Sequence, residues 1–252
     1  MVVSDSVLVD WTPGYRELPP PQWLRDTLSC LWVGITPPDR VGRTLVLPDG
    51  CADLIWSQGE AAFLAGPDTG PVPFTSAPGA VLVGARFRPG AGGSVLRLAL
   101  AEVADQRVEA GQIPVLRSRM PSALMPPQLA LQALPRLIAD LAGERAADDV
   151  VTHAAGLLAR PGVTVEGVAG VVGLSERQFR RRCQVSVGYG PRTLARVLRF
   201  RRFVSAVDAG PLSGGLAGAA IRAGYADQPH LTRECVTLSG LTPRALVLAR
   251  VS

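Results

Sequence analysis

V-V-G-L-S-E-R-Q-F-R-R-R-C-Q-V-S-V-G-Y-G-P-R, from Val171 to Arg192, is followed fifty-two residues later by A-G-Y-A-D-Q-P-H-L-T-R-E-C-V-T-L-S-G-L-T-P-R, from Ala223 to Arg244. At that offset Ser175 aligns with Asp227, Phe179 with Leu231, Arg181 with Arg233 and Cys183 with Cys235. Gly188 then aligns with Gly240, and Pro191-Arg192 with Pro243-Arg244. Each copy reads as a helix, a glycine turn and a second helix that opens on a capping residue. Ser175 can cap the first copy's second helix, and Gln178 three residues on completes a capping box. Asp227 is the equivalent cap in the second copy. Apolar residues four apart (Phe179 and Cys183, Leu231 and Cys235) give each of these helices a buried face.

The residues around the repeat extend the helical pattern. Pro127 to Gly143 predicts an amphipathic helix with Leu129, Leu134, Leu137, Ile138 and Leu141 on one face. Ala147 to Ala159 predicts another, opened by Asp148 or Asp149 and closed by Pro161-Gly162. Thr164 caps the next, with Val165, Val168, Ala169 and Val172 inward and Gly173 making the turn. A long helix from Pro191 to about Asp208 connects the copies, Leu212 to Gly215 interrupts it, and a helix from about Leu216 to Ala223 ends at Gly224.

Residues from about Val7 to Ile113 are written differently. T-L-V-L (Thr44 to Leu47), D-L-I-W (Asp53 to Trp56) and A-V-L-V-G-A (Ala80 to Ala85) are short apolar runs between proline and glycine breaks, the pattern of strands. Pro48-Asp49-Gly50 predicts a hairpin turn. A short helix is expected from Gln22 to Cys30, and Gly92 to Ala104 again reads as helical. The fold class is therefore α+β: a β-rich N-terminal domain (1–120), barrel-like in one arrangement, a linker with a helix (121–146), and an all-α domain (147–252). The two helix-turn-helix units of the last domain span about 164–184 and 215–237.

Charge separates the halves. All 26 basic residues are arginine; residues 152–252 hold 14 of them against 5 acids, and residues 1–151 hold 12 against 16. A basic helical domain on a mildly acidic one points to a polyanion met by the former alone. Arginine pairs bidentately with phosphate and with guanine edges. Four scattered cysteines and two histidines supply no clustered metal ligands, and no cofactor is expected. No apolar run of about eighteen residues suggests a membrane span, and Met1 to Trp11 has no basic-then-apolar secretory pattern. A cytoplasmic protein with reduced thiols is the expectation. No nucleophile elbow or paired-carboxylate site appears, so catalysis is not expected. Gly84 to Gly93 is glycine-rich but lacks the frame of a phosphate-binding loop. Asp49, Cys51 and Asp53 alternate and could line a pocket, although a turn with a core cysteine accounts for them more simply.

The last hundred residues, about two-fifths of the chain, resemble the DNA-binding domain of AraC/XylS-type bacterial transcription regulators. The resemblance rests on G-L-S-E-R-Q-F-R-R-R, G-Y-G-P-R-T-L-A-R-V-L-R-F-R-R, A-G-Y-A-D-Q-P-H-L-T-R and S-G-L-T-P-R-A-L. It implies seven helices that place two recognition helices in adjacent major-groove segments of duplex DNA. Carried over position by position, base-reading residues fall on Arg177, Arg180 and Arg181 in the first helix and on Gln228, Pro229, His230 and Arg233 in the second. Phosphate contacts fall on Ser175, Thr193, Asp227 (through backbone amides) and Thr232. Cys183 and Cys235 stand where the family usually has Phe, which should thin the packing of both copies. Pro229 replaces a hydrogen-bonding side chain, and the second copy lacks the basic residues the family often carries after its recognition helix, so a weaker second unit is expected.

L-P-D-G-C-A-D-L-I-W and G-A-R-F-R-P-G-A-G-G resemble a β-rich domain of unknown function found on actinobacterial members. The wider family uses its N-terminal domain to sense a small molecule or to dimerise. The implied function is a transcription regulator, activator or repressor, with RNA polymerase, a small-molecule effector and a second copy of the chain as open partners. The competing reading is an architectural DNA-binding protein whose N-terminal domain only oligomerises. A deep pocket with convergent polar groups would favour sensing; a filled barrel with an exposed apolar patch would favour dimerisation.

Overall fold

The structure, a computed structural model, describes residues 10–143 and 149–251. Strands dominate its first part: β1 (Gly14–Leu18), β2 (Leu28–Ile35), β3 (Gly42–Val46), β4 (Asp53–Ser57), β5 (Phe63–Ala65), β6 (Val72–Ser76), β7 (Val81–Phe87) and β8 (Arg107–Glu109). Six of them form one sheet in the order β1-β2-β7-β4-β5-β8, and β3 and β6 pair as a separate ribbon; every pairing is antiparallel. The sheet is open, with β1 and β8 as its edges, so the barrel-like arrangement is not the one formed.

Alternation along the strands divides the sheet into two faces. Leu31, Val33, Leu54, Trp56, Leu64, Val83, Ala85 and Phe87 point to one side, where helices α1 (Gly92–Leu96) and α2 (Pro127–Gly143) cover them. Ala130, Leu134, Leu137, Ile138 and Leu141 are the buried face of α2. Leu129 is not part of it and stands 49% exposed. It lies five residues, about 140° of helical arc, from Leu134, and Ala130 takes its place. Trimming a fully buried Ile138 to alanine would cost about 2–5 kcal/mol.

Three local expectations give way to tertiary structure. Leu24, Leu28 and Leu31 have helical spacing, yet only Gln22–Leu24 forms a single 3-10 turn, and Leu28 onward is β2. The ladder that Leu28–Ile35 makes with β7 decides the matter. Pro48-Asp49-Gly50 is not a hairpin, because β3 pairs with β6 while β4 pairs with β5 and β7. It is instead a corner that passes the chain between sheets. Gly50 does adopt φ +86°, and the Cys51 N–H donates to Asp49 Oδ1 at 2.9 Å. The stretch from Gly92 is broken at Arg97 (φ +52°) into α1 and a 3-10 turn at Leu100–Glu102.

The second part is helical throughout: α3 (Asp149–Leu158), α4 (Val165–Val171), α5 (Glu176–Val187), α6 (Pro191–Asp208), α7 (Gly215–Ala223), α8 (Gln228–Ser239) and α9 (Pro243–Val251). Asp148 and the start of the helix expected from Ala147 lie outside the described residues. One core joins all of the repeat: Phe179, Cys183, Leu194, Phe200, Phe203, Leu231 and Cys235 are fully or almost fully buried in a single cluster. Among the described residues no helix is long and apolar enough to cross a membrane.

Candidate DNA-reading surface and the adjoining cavity

Both copies of the repeat build the same device. Thr164 caps α4, its hydroxyl accepting from the Gly167 N–H at 3.1 Å. Gly173 takes φ +68° and turns the chain. Ser175 then caps α5 in a reciprocal box: its hydroxyl accepts from the Gln178 N–H (3.3 Å), and Gln178 Oε1 accepts from the Ser175 N–H (2.9 Å). In the second copy Gly224 (φ +89°) makes the turn, and Asp227 Oδ1 accepts from the His230 N–H at 2.7 Å. Pro229 sits in the first turn of α8, where an amide has no intrahelical partner to lose.

The exposed faces of α5 and α8 differ. Arg177, Arg180 and Arg181 are all exposed at the front of α5, with Arg182 half-buried beside them. On α8, Gln228, Pro229 and Arg233 are exposed. His230 is half-buried, with its ring edge-on to Tyr225 at 5.2 Å. The Thr232 hydroxyl donates back to the Gln228 carbonyl at 3.0 Å, and Thr193 is half-buried at the start of α6. Both α5 and α8 end on a glycine in the left-handed region, Gly188 (φ +96°) and Gly240 (φ +70°).

Several arginines that sequence reasoning treated only as charge are braces. The Arg196 guanidinium on α6 reaches Glu234 on α8 at 3.0 Å. Arg202 donates to the Ala223 carbonyl at 2.8 and 3.0 Å and to the Ala159 carbonyl at 2.8 Å, satisfying carbonyls at the ends of α7 and α3. Burial, with Arg199 alongside, lowers its pKa from the ordinary arginine value. Arg199 lies 5.6 Å over the Tyr225 ring, and Arg250 pairs with Asp208. Nothing in the spacing of a basic helix separates such braces from free cations; only the partner's position does.

The other face of the large sheet borders a cavity of about 980 Å³, with the β3–β6 ribbon across it and α6 at one side. Trp32, Ile55, Phe63, Phe74 and Leu82 supply its apolar wall. The Trp32 indole lies against Gly84, and its Nε1–H donates to Asp53 at 2.6 Å. Asp49, Cys51 and Asp53 do line this space. One guanidinium, Arg86, answers three carboxylates there: Glu17 at 2.9 Å, Asp53 at 3.1 Å and Asp49 at 3.4 Å. Burial raises the Asp53 pKa; Arg86 opposes that rise and Asp49 adds to it. Burial pushes the Cys30 thiol up to about 12. Arg201, Val204, Ser205 and Asp208 of α6 border the same space, so it touches both parts of the molecule.

Residues 168–248 match the family described as a helix-turn-helix domain, and residues 16–109 match a domain of unknown function. The C-terminal part is an AraC-type helix-turn-helix domain. Such a domain binds DNA in transcription regulation. Among solved structures the chain is similar to ToxT of Vibrio cholerae. A 1.65 Å structure is 11% identical, covering 83% of this chain and 97% of that one with a TM-score of 0.47. A second, bound to (E)-4-(8-methylnaphthalen-1-yl)but-3-enoic acid, is 9% identical over 86% and 98% at 0.48. A third, with an unsaturated fatty acid bound, is 12% identical over 88% and 96% at 0.45. No curated protein matches the chain in sequence.

Proposed function

We propose that this AraC-type protein is a cytoplasmic regulator that reads two adjacent major-groove segments of duplex DNA, with α5 in one and α8 in the other. The observation that carries the reading is the duplicated capped helix on one shared core, each copy presenting an exposed N-terminal half. Arg181 and Arg233 occupy equivalent positions and read guanine; Arg177, Arg180, Gln228, Pro229 and His230 complete the base-facing set. Ser175, Thr193, Asp227 and Thr232 sit at phosphates, Asp227 through backbone amides. The cavity, with aromatic walls and a convergent charged cluster, supports control by a small molecule entering the N-terminal part.

The test is selection of bound duplexes from a random-sequence library by the full-length protein. Enrichment of two motifs about 10 base pairs apart is expected. Enrichment of one motif, or of none, would overturn the two-segment reading. On the selected duplex Arg181→Ala should cost about 1–3 kcal/mol while leaving random DNA nearly unaffected. An equal loss on both would make Arg181 a phosphate contact.

A further inference from the structure

Between β5 and β6 the chain runs G-P-D-T-G-P, Gly66 to Pro71, and this loop packs on the end of α5 and passes beside the end of α8. A methyl group placed on Gly188, the residue that closes α5, would lie 2.5 Å from Pro67 Cγ and 3.2 Å from the Leu100 carbonyl oxygen. One placed on Gly240, which closes α8, would lie 4.0 Å from Pro71 Cγ. Pro67 thus abuts the glycine that closes α5, and Pro71 stands about one methyl group away from the glycine that closes α8, fifty-two residues on.

The loop is braced along its length. A methyl on Gly66 would fall 1.8 Å from the Val103 carbonyl oxygen, so the two backbones pack in direct contact. The Gly66 N–H donates to the Gln106 carbonyl (2.9 Å), and the Asp105 N–H donates to the Pro67 carbonyl (3.2 Å). Asp105, itself at φ +58°, accepts from the Thr69 N–H at 2.6 Å and from the Thr69 hydroxyl at 2.8 Å. Arg107 closes the arrangement with a two-pronged pair to Asp68 at 2.9 and 2.8 Å. Asp68 is 6% exposed, a carboxylate that leaves water because that guanidinium meets it. Gly66, Asp68 and Arg107 all line the cavity.

We propose that Asp68 and Arg107 are positioning residues for DNA reading. Through the 66–71 loop they fix the C-terminal ends of α5 and α8, so the cavity they line is the place from which helix spacing is set. Proline rings stiffen the loop at both positions. Any group that competes for Arg107 or Asp68 inside the cavity therefore acts on both helices at once. This rests on the two-segment reading above.

The experiment compares two duplexes from the selection, one with both motifs and one with only the first. Asp68→Asn and Arg107→Gln are each expected to weaken binding to the two-motif duplex by about two- to thirtyfold, with little change on the one-motif duplex. The exchange Asp68→Arg with Arg107→Asp is expected to recover most of the loss. Pro71→Ala, at a half-exposed position away from the core, should shift the two-motif affinity in the same direction while the thermal midpoint stays close to wild type. Unchanged two-motif affinity in all variants, or equal losses on both duplexes, would overturn the role of the loop. A wild-type protein that selects no two-motif duplex would instead defeat the reading underneath it, and this inference with it.

Discussion

At the scale of single residues, the cavity depends on a missing side chain. Trp32 and Gly84 face each other on neighbouring strands, and a methyl at Gly84 would lie 2.0 Å from the indole. The flat packing of Trp32, and with it the 2.6 Å bond to Asp53, needs glycine there. Gly84→Ala is therefore expected to destabilise the fold by about 1–3 kcal/mol through overpacking. It should also move the tryptophan emission, as the indole leaves its carboxylate partner. Unfolding at the wild-type temperature with unaltered emission would contradict this packing. Such a role is invisible in the string G-A-R-F-R, because it belongs to a strand pairing that the string does not state.

Elements were legible where their signals are local. The box of Ser175 and Gln178, the glycine turns at Gly173 and Gly224, and the prolines that open α6 and α9 (Pro191, Pro243) are written within a few residues of the features they make, and the structure forms them. Ser175→Ala should cost about 0.5–2 kcal/mol, read as a lowered midpoint in denaturant or heat. Glu176→Asp, one residue on and keeping the first-turn negative charge, serves as the control that should stay near wild type. A Ser175→Ala protein as stable as its parent would show that the cap contributes nothing. The segment from Gln22 to Cys30 shows the opposite case. Its leucines have helical spacing, and a strand forms because β7 lies alongside. Asp49-Gly50 likewise has turn chemistry that holds locally, while the identity of the strands it joins is fixed by partners far along the chain.

At the scale of the whole molecule, charge separates general affinity from sequence reading. The excess of arginine in residues 152–252 attracts the phosphate backbone whatever the sequence, and binding should fall steeply as salt rises. Within that field the two helices are unequal, since α5 exposes Arg177, Arg180 and Arg181 while α8 exposes Arg233 alone. Arg192, after the turn that follows α5, is expected to contribute to the general term. It is 81% exposed, and its nearest acid, Glu166, is 4.0 Å away and itself well exposed. An exposed pair of that kind is worth only about 0–1 kcal/mol, so it does not hold Arg192 away from DNA. Arg192→Ala should weaken the selected duplex and random DNA by the same factor and lower the slope of log K against log salt by about 1. Arg181→Ala should do the reverse, lowering the selected affinity far more than the random one. The contrast is measured by titrating each variant on both duplexes at several salt concentrations. If Arg192→Ala discriminated between the duplexes as strongly as Arg181→Ala, base reading would extend beyond the recognition helix, and the division of labour drawn from the repeat would be wrong.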